Sequence, residues 1–550
     1  MKLNDFDKVS CDVLIIGGGG ASLRAAIEAK EMGADVLVVS KSRIGYGNNT
    51  YISMGIFAAT GWGDTRDDHA VHLKDTVIGG RFLNDQRLLS VMAQEAGAQV
   101  SFLERCGVKF IKKGERLRLG RAPGHTYHRH VNVVQRRGSG FMLPLKEYAL
   151  KIGVRFLDHV FITKLITGEN RIAGATGIAR DGRFLFIGSK CIILATGGYS
   201  HIYQRTNNAA GITGDGQALA FDLGLPLKDI EFVQFYPTAL GKSGNRGILY
   251  EMVVTEAGAV LRNAQGENII AKHGLSDPLV MTRDRVTRAV MQEILEGLDV
   301  GGGVIMDLSP VSDMSQIIPF LPPSWTEDQK EIIVSPTTHF CMGGVVINEN
   351  TETSIPGLFA AGEVCAGVHG ANRLAGNALA EVWAMGGVAG RKAVLQAREV
   401  GPSKIPQDKI ETEKARLEST SSQGGQQEQD LRRSLKEVMW YKAGIIRSDK
   451  ELREALSVIE ELQLSSLKVS VSGVAQLIKL LELRNMLLLS EIICRAALLR
   501  NESRGAHYRN DYPEEDNVNW LKNIIVQKRD EKMTLESIPV AMDLMKMEET

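Results

Sequence analysis

Residues 17–20 are four consecutive glycines, set between a short apolar run, 12–16, and a stretch, 23–32, whose leucine, alanine and isoleucine recur at helical spacing. That order predicts a strand, a turn too tight for side chains, and a helix. A second apolar run over 35–39, ending at Ser40, completes a unit of the length a strand–helix–strand crossover needs. The chain therefore reads as an α/β protein.

Within the turn the spacing is Gly-x-Gly-x-x-Ser, with Gly17, Gly19 and Gly20 in place and Ser22 where a third glycine usually stands. This is a dinucleotide-binding fingerprint: the glycines let a pyrophosphate reach amide groups at the helix N-terminus, where the helix dipole favours an anion. A nicotinamide site usually carries Asp or Glu at the end of the second strand for the ribose hydroxyls. Here the position reads Ser40-Lys41, which tilts the expectation from NAD toward FAD.

Similar strand endings recur far downstream. Residues 191–195 run into Thr196, Gly197 and Gly198, and residues 358–361 into Gly362 and Glu363. One nucleotide-binding domain assembled from distant segments is expected, 1–237 and 338–400, with an inserted α+β capping domain over 238–337. A Ser-, Gly- and Gln-rich linker over 401–430 then leads to a helical C-terminal domain, 431–550, in which 477–499 reads as a packed helix pair. The 550 residues exceed what one ordinary core organises, so two to four compact units are expected.

Lys plus Arg and Asp plus Glu each total 65, so no global field draws the chain to nucleic acid or anionic lipid. Its six cysteines are scattered with no Cys-x-x-Cys, so neither an iron–sulfur cluster nor a metal site is expected. Buried, reduced thiols of a cytoplasmic protein are the reading. The N-terminus lacks the pattern of a secretion signal and no apolar stretch reaches the length of a membrane span, so any membrane attachment, peripheral and on the inner face, is expected through a partner.

Ordered along the chain are Ala195-Thr196-Gly197-Gly198, Thr213-Gly214-Asp215-Gly216, Glu-Phe-Val-Gln-Phe-Tyr-Pro-Thr over 231–238, and Arg283-Asp284. His-Phe-Cys-Met-Gly-Gly over 339–344, Ala361-Gly362-Glu363, His-Gly-Ala-Asn-Arg-Leu-Ala-Gly-Asn over 369–377 and Glu-Ser-Arg-Gly-Ala-His-Tyr over 502–508 follow. In these motifs the chain resembles the flavoprotein subunits of succinate dehydrogenase and fumarate reductase, together with L-aspartate oxidase, over nearly its whole length.

The resemblance implies FAD held by Gly17, Gly19, Gly20, Ser40, Lys41, Asn49, Thr50, Ala195, Thr196, Gly197, Gly198, Asp215, Glu363, Asn377, Ala378 and Leu379. Respiratory members usually bond FAD to a histidine just before a Thr. Here Asn49 precedes Thr50, so non-covalent FAD is expected. The same resemblance implies hydride exchange between flavin N5 and fumarate or succinate, or a related 2-enoate. Arg283 matches the proton-donating arginine, and His339 and Arg373 match the carboxylate-binding pair, with Thr238 and Thr255 as further substrate contacts. Electrons would pass through a separate iron–sulfur subunit.

The sequence departs from the pattern at two places. The usual Arg-Gly-Glu-Gly loop is missing; residues 254–259 read Val-Thr-Glu-Ala-Gly-Ala, leaving Glu256, with Glu251 as fallback, to resupply the proton. The family's His-Pro-Thr appears as Tyr236-Pro237-Thr238, and a phenol donates one neutral hydrogen bond but supplies no cation. Dicarboxylate binding is expected to weaken, and a monocarboxylic or aryl 2-enoate becomes a rival substrate, since urocanate reductase carries tyrosine there. L-aspartate oxidase is the other alternative, and a flavin-binding protein with a decayed substrate site a further one that Arg283, His339 and Arg373 speak against.

Overall fold

The computed structural model describes residues 3–547 except 136, 242–246, 248–252, 255–256, 278–280, 319–320, 322–324, 402–403 and 421–426. Strand Asn4–Ile16 delivers the chain to Gly17 at φ +135°, and a Cβ there would stand 2.1 Å from the Ala195 carbonyl oxygen. Only glycine meets both demands. Helix Gly20–Glu31 then buries Leu23, Ala25, Ala26 and Ile27 and packs along helix Asn377–Glu399.

The main sheet runs Arg155–Asp158, Val36–Ser40, Asn4–Ile16, Arg183–Leu194, Arg171–Ala179, Val160–Gly168, with Leu358–Ala360 also paired to Arg183–Leu194. Asn4–Ile16, Arg183–Leu194 and Leu358–Ala360 are parallel, and their register sets Ile16 beside Leu194 and Leu194 beside Ala360. The glycine-punctuated ends of three distant segments therefore lie together at one edge of the sheet. That edge, where parallel strands end and helices begin, is where open α/β folds bind ligands.

A second, antiparallel sheet joins Val233–Leu240, Glu331–Cys341, Val304–Asp307 and Val260–Arg262. With helix Arg283–Leu295 it encloses its own apolar cluster, including Leu261, Val290, Val304 and Met306. Strands Val233–Leu240 and Glu331–Cys341 pair with each other across both expected ends of the inserted segment, at 237 and 338.

Three expectations change. The stretch expected as a linker, 401–430, carries helix Gln407–Glu418, whose Ile410 and Leu417 are buried. The expected helix pair over 477–499 is one helix, Val474–Leu499, since no glycine or proline interrupts it. The segment expected to be helical, 431–550, does hold helices Asp449–Ser466 and Val474–Leu499 but ends in hairpin Lys522–Arg529/Lys532–Pro539, which pairs with Leu227–Lys228.

The C-terminal part is tied down by buried charge. Arg500 donates from Nε to Glu231 Oε1 at 2.8 Å and from Nη1 to Glu502 at 3.0 Å, and Arg504 donates to Glu502 at 2.9 Å. All four side chains are buried, so each charge depends on its partners. All six cysteines are free and buried, and burial pushes the thiols of Cys11, Cys106, Cys191 and Cys494 up to about 12. Among the described residues no helix is long and apolar enough to cross a membrane.

Candidate active site

At the edge where the three strands end lies a cleft, partly open to solvent. Its lining includes Gly17, Gly19, Gly20, Ser40, Lys41, Asn49, Thr50, Ala195, Thr196, Gly197, Asp215 and Glu363. Gly198 lies just behind, where a Cβ would meet Glu363 Oε1 at 2.6 Å. Asn377, Ala378 and Leu379 open helix Asn377–Glu399 and lie outside this lining. Phe161, Ile162, Ile212 and Leu219 line the cleft without any sequence signal, because an apolar residue on a strand or helix looks the same whether it faces a core or a cofactor.

Several polar groups of the cleft are engaged, while the buried Thr196 hydroxyl makes no hydrogen bond. Gly20 N–H donates to Thr50 Oγ1 at 3.2 Å. Lys41 Nζ lies 2.6 Å from Asp215 Oδ2, 2.6 Å from Thr213 Oγ1 and 2.5 Å from Glu482 Oε1. Burial lowers the affinity of that ammonium for its proton, but Asp215 and Glu482 more than offset it, and its pKa is raised. Asn485, like Glu482 on helix Val474–Leu499, donates to Asp215 Oδ1 at 2.9 Å. Glu363 accepts from Asn49 Nδ2 at 3.0 Å and from Cys341 N–H at 3.2 Å, yet burial still pushes its carboxyl up to about 7. A glycine turn that admits no side chain, a helix N-terminus and carboxylates set for hydroxyl groups fit FAD.

The residues proposed from sequence for the substrate come from four places: Tyr236 from strand Val233–Leu240, His339 from Glu331–Cys341, Arg283 from the first turn of Arg283–Leu295, and Arg373 from the turn before Asn377–Glu399. The guanidinium of Arg283 sits 4.7 Å from the Tyr236 ring centroid, and the rings of Tyr236 and His339 are 5.2 Å apart. Thr238 is buried on the same strand as Tyr236. Thr255, Glu256 and Glu251 lie outside the described residues.

Gln234 draws the group together. Its Oε1 accepts from Arg283 Nη1 at 3.3 Å and from Arg373 Nη2 at 2.9 Å, while its Nε2 donates to Asn372 Oδ1 at 2.8 Å and to the Arg373 carbonyl at 2.9 Å. In the sequence this residue is only a member of the 231–238 motif with no role of its own; its signal is its place two positions before Tyr236. His339 differs from a carboxylate-binding cation. Burial, then the charges of Arg373 and Arg283, hold its pKa well below the ordinary histidine range, so it enters the site neutral, with Nδ1 against the Asn207 side chain. The arrangement offers two convergent guanidiniums, a neutral imidazole and a phenol to one small acceptor.

Residues 12–379 match the family model described as FAD binding domain, and residues 432–550 match that described as fumarate reductase flavoprotein C-term. One of the subunits of fumarate reductase (CoM/CoB) from Methanothermobacter marburgensis is 36% identical over 94% of this chain and 97% of its own length. The fumarate reductase flavoprotein subunit of Mycobacterium tuberculosis is 33% identical over 94% of each chain. Among solved structures, FrdA of E. coli quinol fumarate reductase superposes with a TM-score of 0.90 at 27% identity, covering 98% of both chains. Mycobacterium smegmatis Sdh1 does so with 0.88 at 33% identity, covering 98% of this chain and 96% of that one. The chain belongs to the fumarate reductase and succinate dehydrogenase flavoprotein family, whose members are FAD-dependent oxidoreductases.

Proposed function

We propose that this protein is the catalytic flavoprotein subunit of an electron-transfer complex and interconverts fumarate and succinate. The observation that carries the reading is the convergence of Arg283 and Arg373 on a single amide oxygen, Gln234 Oε1. An acceptor held by two guanidiniums is where a substrate carboxylate belongs, because the paired N–H fork of arginine matches the two oxygens of a carboxylate. Bound FAD supplies the hydride donor or acceptor of the reaction.

Arg373 grips the carboxylate and draws charge toward it. Arg283 donates the proton to the carbon that does not take the hydride. A guanidinium with a pKa above about 12 gives up a proton only from a dry site with a base to resupply it, and Glu256 is the carboxylate proposed for that relay. His339 adds a neutral hydrogen bond rather than a charge. Gly17, Gly19 and Gly20 receive the pyrophosphate at the helix N-terminus, Glu363 and Asp215 the hydroxyl groups, and Asn377, Ala378 and Leu379 the flavin's pyrimidine edge. Asn49 carries a carboxamide, which supports non-covalent FAD. A separate iron–sulfur subunit completes the electron path, and the names of the relatives as subunits support it. The protein is placed in the cytoplasm, at the inner face of the membrane only through such partners.

Tyr236 supports a second reading. Its ring, not a cation, stands between Arg283 and His339, which suits a 2-enoate with one carboxylate and an apolar or aryl tail. The relatives' names favour the fumarate–succinate couple over L-aspartate oxidation. Anaerobic reoxidation of the reduced holoprotein by fumarate, urocanate, cinnamate and iminoaspartate separates these readings. Fumarate reoxidises the flavin if the proposal is right; an aryl enoate reacting where fumarate fails replaces it with the second.

A further inference from the structure

The turn that presents Arg373 is held at every carbonyl. The Arg373 carbonyl accepts from Gln234 Nε2 at 2.9 Å, that of Leu374 from Arg373 Nη1 at 3.1 Å, and that of Gly376 from Ala58 N–H at 3.2 Å. Gly376, at φ +81°, is the N-cap of helix Asn377–Glu399, and a Cβ on it would lie 2.7 Å from His130 Nε2. The remaining hold on the turn comes from histidines.

His125 Nε2 and His130 Nε2 lie 2.8 and 3.1 Å from the Ala375 carbonyl oxygen. A carbonyl only accepts, so both imidazoles carry their proton on Nε2. Arg129 fixes this for His125: its Nη1 donates to His125 Nδ1 at 3.3 Å, while its Nη2 is held by Asp67 at 2.7 Å and Asp75 at 2.9 Å. His72 Nε2 lies 2.8 Å from Asn377 Oδ1, and Asn377 Nδ2 donates to Thr76 Oγ1 at 2.9 Å, so His72 too is the donor. The rings touch in series, 6.1 Å from His72 to His125 and 4.8 Å from His125 to His130. Burial first, then Arg129 for His72 and the adjoining imidazole for His125 and His130, hold all three at about 3, so they remain uncharged donors across the working range of pH.

We propose that His72, His125 and His130 are positioning residues whose three Nε2–H donors set the 373–377 turn and so aim the Arg373 guanidinium at the substrate carboxylate. The inference rests on the reading of Arg373 as the carboxylate-binding group. None of the three needs to touch substrate. Their effect passes through the backbone of Ala375 and the side chain of Asn377, two and four residues from Arg373.

The test uses the full-length holoprotein with His125→Leu and His130→Leu, which remove the donor, against His125→Gln and His130→Gln, whose amide N–H can reach where Nε2 stood. Two quantities are read: the hydrogen exchange of amides 374–379, and KM and kcat for fumarate. Each leucine variant is expected to speed exchange and raise KM by about tenfold with kcat changed less, the loss expected for one buried hydrogen bond and a misaimed arginine. Each glutamine variant is expected to stay within about threefold of the unsubstituted protein in both. Unchanged exchange and KM in the leucine variants overturn the inference, as do glutamine variants that fail as the leucine ones do. Should the leucine variants not fold, His125→Asn and His130→Asn replace them, since their shorter side chains cannot reach the Ala375 carbonyl. A protein that binds no carboxylate at all refutes the functional reading instead, and the exchange of 374–379 then decides whether the imidazoles set the turn.

Discussion

Replacing His125 with glutamine tests whether the histidines beneath the arginine turn are uncharged in the folded protein. In the folded chain burial holds His125 at about 3, against about 6.5 for an exposed histidine. Because the folded value is depressed, the unfolded chain takes up the proton first. The stability is whole above about pH 6.5 and is lost as pH falls from there toward 3. Between pH 7 and pH 5 one such histidine removes about 2 kcal/mol from the unfolding free energy. His72 and His130, also at about 3, act in the same direction. Glu363, which burial pushes up to about 7, acts in the opposite direction: the folded state keeps a proton that the unfolded one sheds, returning about 2 kcal/mol over the same window, and burial raises Asp229 in the same sense. Glutamine keeps an N–H donor and cannot titrate, so His125→Gln should shrink the difference in stability between pH 7 and pH 5 by about 2 kcal/mol, whatever it does to stability at either pH alone. Urea unfolding of variant and parent at both pH values measures this. An identical pH 7 to pH 5 difference in the two proteins would show that His125 is not held neutral by the fold.

The replacement Arg283→Ala should cost turnover by a factor of about 10² to 10⁴ and leave flavin bound, read by steady-state assay and the visible spectrum; an active variant removes Arg283 from proton donation. Acid precipitation should release yellow FAD into the supernatant, and flavin kept in the pellet would mean a covalent bond. Arg500→Ala strands Glu231 and Glu502 as buried, underpaired carboxylates and should lower stability by about 3–5 kcal/mol, measured by denaturant unfolding; a change under about 1 kcal/mol would mean that water reaches this network.

Much of the nucleotide site is legible in the amino-acid order because it depends on local backbone geometry. A strand that must turn at φ +135° against a carbonyl oxygen can use only glycine, so Gly17 announces itself. The two later strand endings carry similar marks, and the register of the sheet sets all three side by side. Arg283, His339 and Arg373 are recognisable from the short motifs that contain them. The hairpin Lys522–Pro539 and the helix Gln407–Glu418 are not, since each exists by burying itself against segments remote in the chain.

What the sequence by itself determined is which residue types could stand at each local turn and which motifs carry guanidinium, imidazole and carboxyl groups. What only the tertiary structure decided is their state: Lys41 meets Glu482 across 441 positions of chain, His339 loses its charge beside Arg283 and Arg373, and Gln234 becomes the acceptor shared by those two arginines. The physical reason is that charge and hydrogen bonding depend on desolvation and on neighbours in space, and a folded chain chooses those neighbours without regard to their separation in sequence.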